Sequence, residues 1–202
     1  MCLFEAYQAR FLSMPSGGSK DGALYYSYEV SGAHVIVLAS FWIYSSGSDQ
    51  YNFLVKDLAS IDRAKTPWVF VLIHAPWYNS NADHQGDGEL MRQTFEPMLH
   101  AAKVNAVFAG HVHAYERSFP SFNNAVDPTG AMHVTIGDGG NREGLYTKWL
   151  SPQPKWSAYR DAEYGHGELT LLNASVAQWT WIRNADPEPV STDAYTLYNI
   201  AV

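Results

Sequence analysis

Cysteine is almost missing: Cys2 is the only one in 202 residues. An internal disulfide is thereby excluded, and so is a metal site built on several thiolates. No apolar run approaches the roughly 20 residues that a membrane-spanning helix needs. The start, "MCLFEAYQARF", lacks the basic leader and apolar core of a secretory signal. Positive charge is scarce as well. Thirteen Lys and Arg face 20 Asp and Glu, for a formal charge of −7 with no block of one sign. Neither nucleic acid nor an anionic membrane is therefore an expected partner. Repeats and low-complexity tracts are also absent.

The 47% hydrophobic and 14% aromatic residues suit one globular domain, or a large part of a bigger one. "LYYSYEV" (Leu24 to Val30) and "HVIVLAS" (His34 to Ser40) flank Ser31-Gly32 and predict a hairpin. Asp49 to Lys65 has the period of a helix, with Phe53, Leu54, Leu58 and Ile61 on one face, Asp49 as its cap and Pro67 as its stop. "WVFVLIH" (Trp68 to His74) reads as a buried strand. Gly88 to Lys103 reads as a second helix, bent or restarted at Pro97, and "NAVFAG" as the next buried strand. This strand–helix alternation predicts parallel pairing through helical crossovers. Phe119 to Gly130 is a polar loop. "AMHVTIGDGG", "GHGELTLLNAS" and "VAQWTWIRN" follow as strands without helices between them. The proline-containing tail after Asn184 is expected to wrap the surface.

Ligands of open α/β sheets bind beyond the carboxyl ends of the strands. His74 ends one such strand, and His111 and His113 follow another in "AGHVHAYERS". Two residues of extended chain advance about 6.5 Å, so the two rings of an H-x-H turn reach different points of one site. Paired catalytic metal ions stand about 3.5–4 Å apart, which one such turn can serve. The alternative is an exposed turn carrying incidental histidines. His74 alone reads as a hydrogen-bonded core residue more readily than as a ligand. His84, in the polar loop "NSNADHQGDGE" between Asp83 and Asp87, suits a mobile acid or base. His34, His100, His133 and His166 read as structural, and Asp138 in "GDGGN" as part of a tight turn. Asn173-Ala174-Ser175 is a glycosylation acceptor triplet.

Four stretches, "VLIHAPWYNSN", "AGHVHAYERSFP", "IGDGGNREGL" and "WSAYRDAEYGHGEL", together resemble plant-type purple acid phosphatases, which are binuclear metallophosphoesterases. G-H-x-H alone is shared across that superfamily; the other stretches favour the phosphatases over phosphodiesterases. The resemblance spans about Phe4 to Asn184. It implies an α/β metallophosphoesterase (calcineurin-like) fold, a β-sandwich of two mixed sheets flanked by helices and incomplete at its amino terminus. It divides the chain into a partial catalytic core, residues 1–130, and the carboxyl-terminal part of the same domain, residues 131–202. It implies hydrolysis of phosphate monoesters by iron(III) with a divalent zinc, manganese or iron ion. His74 and His111 correspond to ligands of the divalent ion and His113 to a ligand of the iron(III). His84 corresponds to the histidine that contacts the phosphate and protonates the leaving group. Asp83 and Asp87 fall in the substrate-contact loop, and Asn173 is a glycosylation site of an extracellular or vacuolar enzyme.

The family's centre also uses an aspartate in D-x-G, an aspartate and tyrosine in G-D-x-x-Y, and an asparagine in G-N-H-[ED]. None of these elements precedes His74. The three remaining ligands are neutral, whereas a trivalent hard cation wants anionic oxygen. Two neighbouring ions repel strongly without carboxylates between them. The chain alone is thus expected to hold at most one divalent ion, weakly, and to be inactive or nearly so. The alternative function is a catalytically dead protein that binds one metal ion or an anion. Exposed edges left by missing strands predict aggregation or a homodimer.

Overall fold

The computed structural model describes residues 10, 24–185 and 191–201. Cys2 and the opening stretch "FEAYQARFLSMP", apart from residue 10, lie outside the described residues. Two strands, β1 (Tyr26–Val30) and β2 (Ala33–Val37), form the expected antiparallel hairpin. Ser31 and Gly32 between them take φ of 48° and 81°. Positive φ at both central residues suits the twist of a two-residue hairpin loop, and glycine bears it without cost.

The first helix, α1 (Asp49–Ser60), is capped one residue earlier than the sequence suggests. Ser48 Oγ accepts the Tyr51 N–H at 3.3 Å, while Asp49 sits in the first turn. A carboxylate there still favours the positive end of the helix dipole. Nor does α1 run on to Pro67. Asp62 Oδ1 takes the Ala64 N–H and the Asp62 carbonyl takes those of Lys65 and Thr66, which builds a separate turn. Phe53 and Leu54 are buried, with Leu58 and Ile61 packed beside them.

β3 (Trp68–Ile73), α2 (Glu89–Ala101) and β4 (Ala106–Ala109) complete the alternation, and β2, β3 and β4 pair in parallel. Pro97 does not restart α2, which runs through it without a break. The buried faces of Phe95 and Leu99 flank the proline and hold both turns against the sheet.

The later strands are β5 (Tyr115–Ser118), β6 (Ser121–Phe122), β7 (Ala125–Val126), β8 (Met132–Ile136), β9 (Ser157–Asp161), β10 (Gly165–Leu171), β11 (Val176–Arg183) and β12 (Ser191–Tyr198). The polar loop after β5 therefore contains a small β6–β7 hairpin. A seven-stranded mixed sheet has the order β1-β2-β3-β4-β8-β5-β9, and β10-β11-β12 form a second, antiparallel sheet. This second sheet is antiparallel rather than mixed among the described residues.

Side chains alternate along β3. Val69, Val71 and Ile73 join Leu54, Phe95 and Leu99 on the helical side. Trp68 and Phe70 join Val35, Val134, Trp179 and Trp181 between the sheets. The tail does not simply wrap the surface, because β12 pairs with β11. Asp193 on β12 accepts from Arg117 Nε (2.7 Å), Arg117 Nη2 (2.8 Å) and Tyr115 OH (2.7 Å), joining the two sheets. Residues 186–190, with both tail prolines, lie outside the described residues.

Candidate metal centre

β3 and β4 end side by side, and the Gly110 N–H donates to the His74 carbonyl at 3.1 Å. Ser40 Oγ accepts the N–H groups of His74 (2.9 Å) and Ala75 (3.0 Å), fixing the backbone where the strand stops. After Gly110 the chain coils tightly: Val112 N donates to Gly110 O and Ala114 N to Val112 O. His111 takes φ of 65°, a left-handed conformation that a non-glycine residue rarely adopts. A Cβ on Gly137 would stand 2.0 Å from the Val112 carbonyl oxygen, so only glycine lets the end of β8 pass beneath this turn.

The rings of His74 and His111 have centroids 4.8 Å apart, and those of His84 and His111 4.0 Å. His74 Nε2 is 3.0 Å from His111 Nδ1. On the other side of that ring, His111 Nε2 is 3.0 Å from Asp87 Oδ2. The same Oδ2 lies 3.1 Å from His84 Nδ1. One set of tautomers satisfies the whole chain of contacts: both rings donate to Asp87, and His111 Nδ1 accepts from His74. These donors hold the Asp87 carboxyl below its ordinary pKa. Partial burial lowers the His74 pKa from 6.5, and the nearby His111, His84 and His113 rings lower it further. Exposed Phe41 packs edge-on against both His74 and His111, at 5.6 Å from each.

His113 is held differently. Its Nδ1 donates to the Gly144 carbonyl at 3.1 Å and its ring stacks on Tyr146 at 4.4 Å. That bond fixes the tautomer and leaves Nε2 with a free lone pair. Tyr146 OH lies 3.4 Å from His84 Nε2. Nearby Glu143 and Asp83, after burial, raise the tyrosine pKa, so the phenol stays protonated. Asp83 thus lies near Tyr146, whereas Asp87 lies between two imidazoles.

The loop carrying His84 is stitched down rather than loose. Asn79 Nδ2 donates to Asp83 O at 2.9 Å, Asn81 Oδ1 accepts from Asp83 N at 3.0 Å, and Asn81 Nδ2 donates to Tyr146 O at 2.7 Å. His84 itself takes φ of 58°. Tyr146 and Ser40 were not anticipated as part of this edge; Tyr146 is the residue immediately after "IGDGGNREGL".

The other histidines are accounted for by structural contacts. His34 meets Asp57 at 2.8 Å, His100 stacks on Phe122, and His166 meets Asn184. Buried His133 packs on Tyr78 and has its pKa pushed down to about 3. Asp138 does more than take part in a tight turn. It is buried, and its Oδ2 accepts Trp181 Nε1–H at 2.8 Å. Asn173 is exposed in the turn between β10 and β11.

Residues 3–115 match the family model of calcineurin-like phosphoesterases, and residues 130–191 match that of iron/zinc purple acid phosphatase-like protein C. The chain belongs to the calcineurin-like phosphoesterase family. Its relatives are purple acid phosphatases, as the motifs imply. It is 48% identical over 197 residues to purple acid phosphatase 18 of Arabidopsis thaliana, covering 98% of this chain and 45% of that protein. It is 38% identical over 207 residues to the Fe(3+)-Zn(2+) purple acid phosphatase 12 of the same plant, covering 97% of this chain and 44% of that one. The solved structure of purple acid phosphatase PPD1 from yellow lupin (Lupinus luteus) seeds superposes with a TM-score of 0.76 at 26% identity, over 86% of this chain and 32% of that chain. The chain thus spans less than half the length of these relatives.

An iron(III)–divalent pair is the cofactor these relatives imply. The donors fit a divalent ion: His84, Asp87 and His111 bring ligand atoms within 4.8 Å of one another. They do not fit iron(III). His113 offers one neutral nitrogen beside a protonated phenol, and this is the only cluster of three metal-ligating side chains among the described residues. A trivalent ion needs more anionic oxygen than that.

Proposed function

We propose that this histidine edge is the phosphate-binding, hydrolytic edge of an acid phosphatase acting on phosphate monoesters. The observation that carries the reading is the convergence of His74, His84 and His111 beyond the carboxyl ends of parallel strands β3 and β4. In the longer protein, His74 and His111 hold the divalent ion and His113 contributes to the iron(III) site. Carboxylates, a phenolate and an asparagine from the D-x-G, G-D-x-x-Y and G-N-H-[ED] elements complete the set. The bound pair supplies Lewis acidity toward the phosphate and an acidified water. His84 contacts the phosphate and gives a proton to the leaving oxygen. Asp87 and Tyr146 position its ring, and Asp83 and Asp87 shape the substrate loop.

The experiment is hydrolysis of p-nitrophenyl phosphate by a longer protein that carries those three elements. Robust turnover is expected, with His84→Ala lowering kcat by about 10²–10⁴-fold. An unchanged kcat removes His84 from the chemistry. The 202-residue chain alone is inactive on this reading. The same donor count favours a second reading for that chain, a catalytically inactive protein that binds one ion or an anion.

The protein is extracellular or vacuolar on this reading, with a glycan on Asn173. That side chain is exposed, and its Oδ1 accepts the backbone N–H groups of Ser175 and Val176. No helix among the described residues is long and apolar enough to cross a membrane.

A further inference from the structure

We propose that Glu116 is a positioning residue for this edge: its buried carboxylate, acting through Ser80, sets where the His84 loop stands against the H-x-H turn. The inference deepens the functional reading above and rests on it for the role of His84.

Glu116 lies on β5, just after the turn that carries His111 and His113. Side chains alternate along a strand. Tyr115 and Arg117 reach Asp193 between the sheets, so Glu116 faces the other way. There it is only 2% exposed. Its Oε2 accepts the Ser80 backbone N–H at 2.7 Å. Its Oε1 accepts the hydroxyls of Ser80 and Ser157, each at 2.5 Å. Burial raises the Glu116 pKa, while these donors and Arg160 oppose the rise. A buried carboxylate costs desolvation that an apolar side chain avoids. What it gains here is three donors on two other segments of the chain.

Ser80 is the crossing point, fully buried with every polar atom engaged. Its Oγ also accepts from Arg160 Nη1 at 3.0 Å, and its carbonyl accepts the Leu150 N–H at 2.8 Å. Arg160 stands opposite Glu116 on β9. It donates to the Leu150 carbonyl as well, at 3.1 Å, and lies over the Trp149 ring. Farther along, the Ala82 N–H donates to the Lys148 carbonyl at 2.8 Å. Thus β5, β9, the His84 loop and the segment 144–150 that carries Tyr146 meet around one carboxylate.

The link from Ser80 to His84 is short. Asn79 Nδ2 donates to the carbonyls of Asp83 (2.9 Å) and His84 (3.4 Å), and Asn81 Oδ1 accepts the Asp83 N–H at 3.0 Å. A displacement at Ser80 therefore moves His84 relative to His111, whose ring centroid lies 4.0 Å away. Glu116→Asp withdraws the carboxylate by about 1.5 Å, one carbon–carbon bond. Misplacing a reacting group by about 1 Å costs about 10²-fold in rate. A carboxylate that only stabilised the fold would lower stability without separating the two rings.

The test is NMR of the 202-residue chain. It reads the nuclear Overhauser cross-peak between the His84 and His111 rings and, as a reference on the same edge, the one between His74 and His111. Glu116→Asp and the smaller change Ser80→Ala are each expected to lose the first and keep the second. Leu54→Ala, which destabilises the core beside α1, keeps both. In the longer protein, Glu116→Asp should lower kcat on an alkyl phosphate by about 10²-fold with KM unchanged. The loss should be smaller on p-nitrophenyl phosphate, whose leaving oxygen needs little protonation. The proposal is overturned if a folded variant of either kind keeps the His84–His111 cross-peak, if Leu54→Ala loses it too, or if kcat falls equally on both substrates. Either variant reads the contact, so one that misfolds does not blunt the test. The contact needs no turnover, so a longer protein that hydrolyses nothing refutes the functional reading and not this one.

Discussion

Asp138 is a carboxyl group with almost no water around it. Burial raises its pKa from 3.8 to about 6, the Asp161 charge adds to the rise, and the Trp181 N–H opposes it. Its Oδ1 is buried without a hydrogen-bond partner. A folded-state pKa above the unfolded one means that the folded protein binds the proton more tightly. The associated stability is full below about pH 4 and lost as pH rises through about 6. The loss amounts to about 3 kcal/mol at 1.36 kcal/mol per pKa unit. Asp138→Asn should therefore stabilise the protein at pH 7 by up to about 3 kcal/mol and leave it unchanged at pH 4. Urea unfolding at the two pH values checks this, and equal effects at both contradict it. Ser40 is a second such residue. Ser40→Ala strands two backbone N–H groups at the His74 corner and should cost about 1–3 kcal/mol in the same assay, with no loss contradicting its role. The histidines of the edge were legible in the sequence because motif and strand end coincide. Ser40 and Asp138 were not, because His74 lies 34 residues from Ser40 and Trp181 lies 43 residues from Asp138.

At the scale of elements, the H-x-H turn depends on what passes beneath it. Gly137 lies against the carbonyl of Val112, where a Cβ would stand 2.0 Å from the oxygen. Gly137→Ala should push the turn away from β8, destabilise the protein by about 1–3 kcal/mol and weaken zinc binding by moving His111. Thermal unfolding with zinc titration checks this; a variant matching the parent in both contradicts the packing argument. Elements whose period and turn chemistry agree were readable: the β1–β2 hairpin and the β2, β3, β4 crossovers fall where the residues put them. Their ends were less readable. The turn set by Asp62 ends α1 well before Pro67, and α2 absorbs Pro97 because its apolar face is anchored on both sides. β12 was masked by the prolines before it. Its strand character comes from pairing with β11 and from the Asp193–Arg117 bridge, neither visible in local sequence.

At the scale of the molecule, the sandwich is lopsided among the described residues: three strands pack against seven. Among the described residues, β10 and β12 each pair only with β11, so both outer edges of the small sheet keep unpaired backbone groups. Leu172 and Tyr198 beside them are 52% and 68% exposed. Such edges recruit further strands, from a longer chain or another copy. Sedimentation of the 202-residue chain should show concentration-dependent association; a monomer at every concentration contradicts this.

The same lopsidedness governs the chemistry. Among the described residues this chain groups imidazoles with the single carboxylate of Asp87, fewer anionic oxygens than a trivalent ion demands. The most direct measurement is the metal content of the purified chain after exposure to iron(III) and zinc, read beside its turnover of p-nitrophenyl phosphate. One zinc, no iron and no hydrolysis are predicted. Two bound ions with hydrolysis would contradict the account.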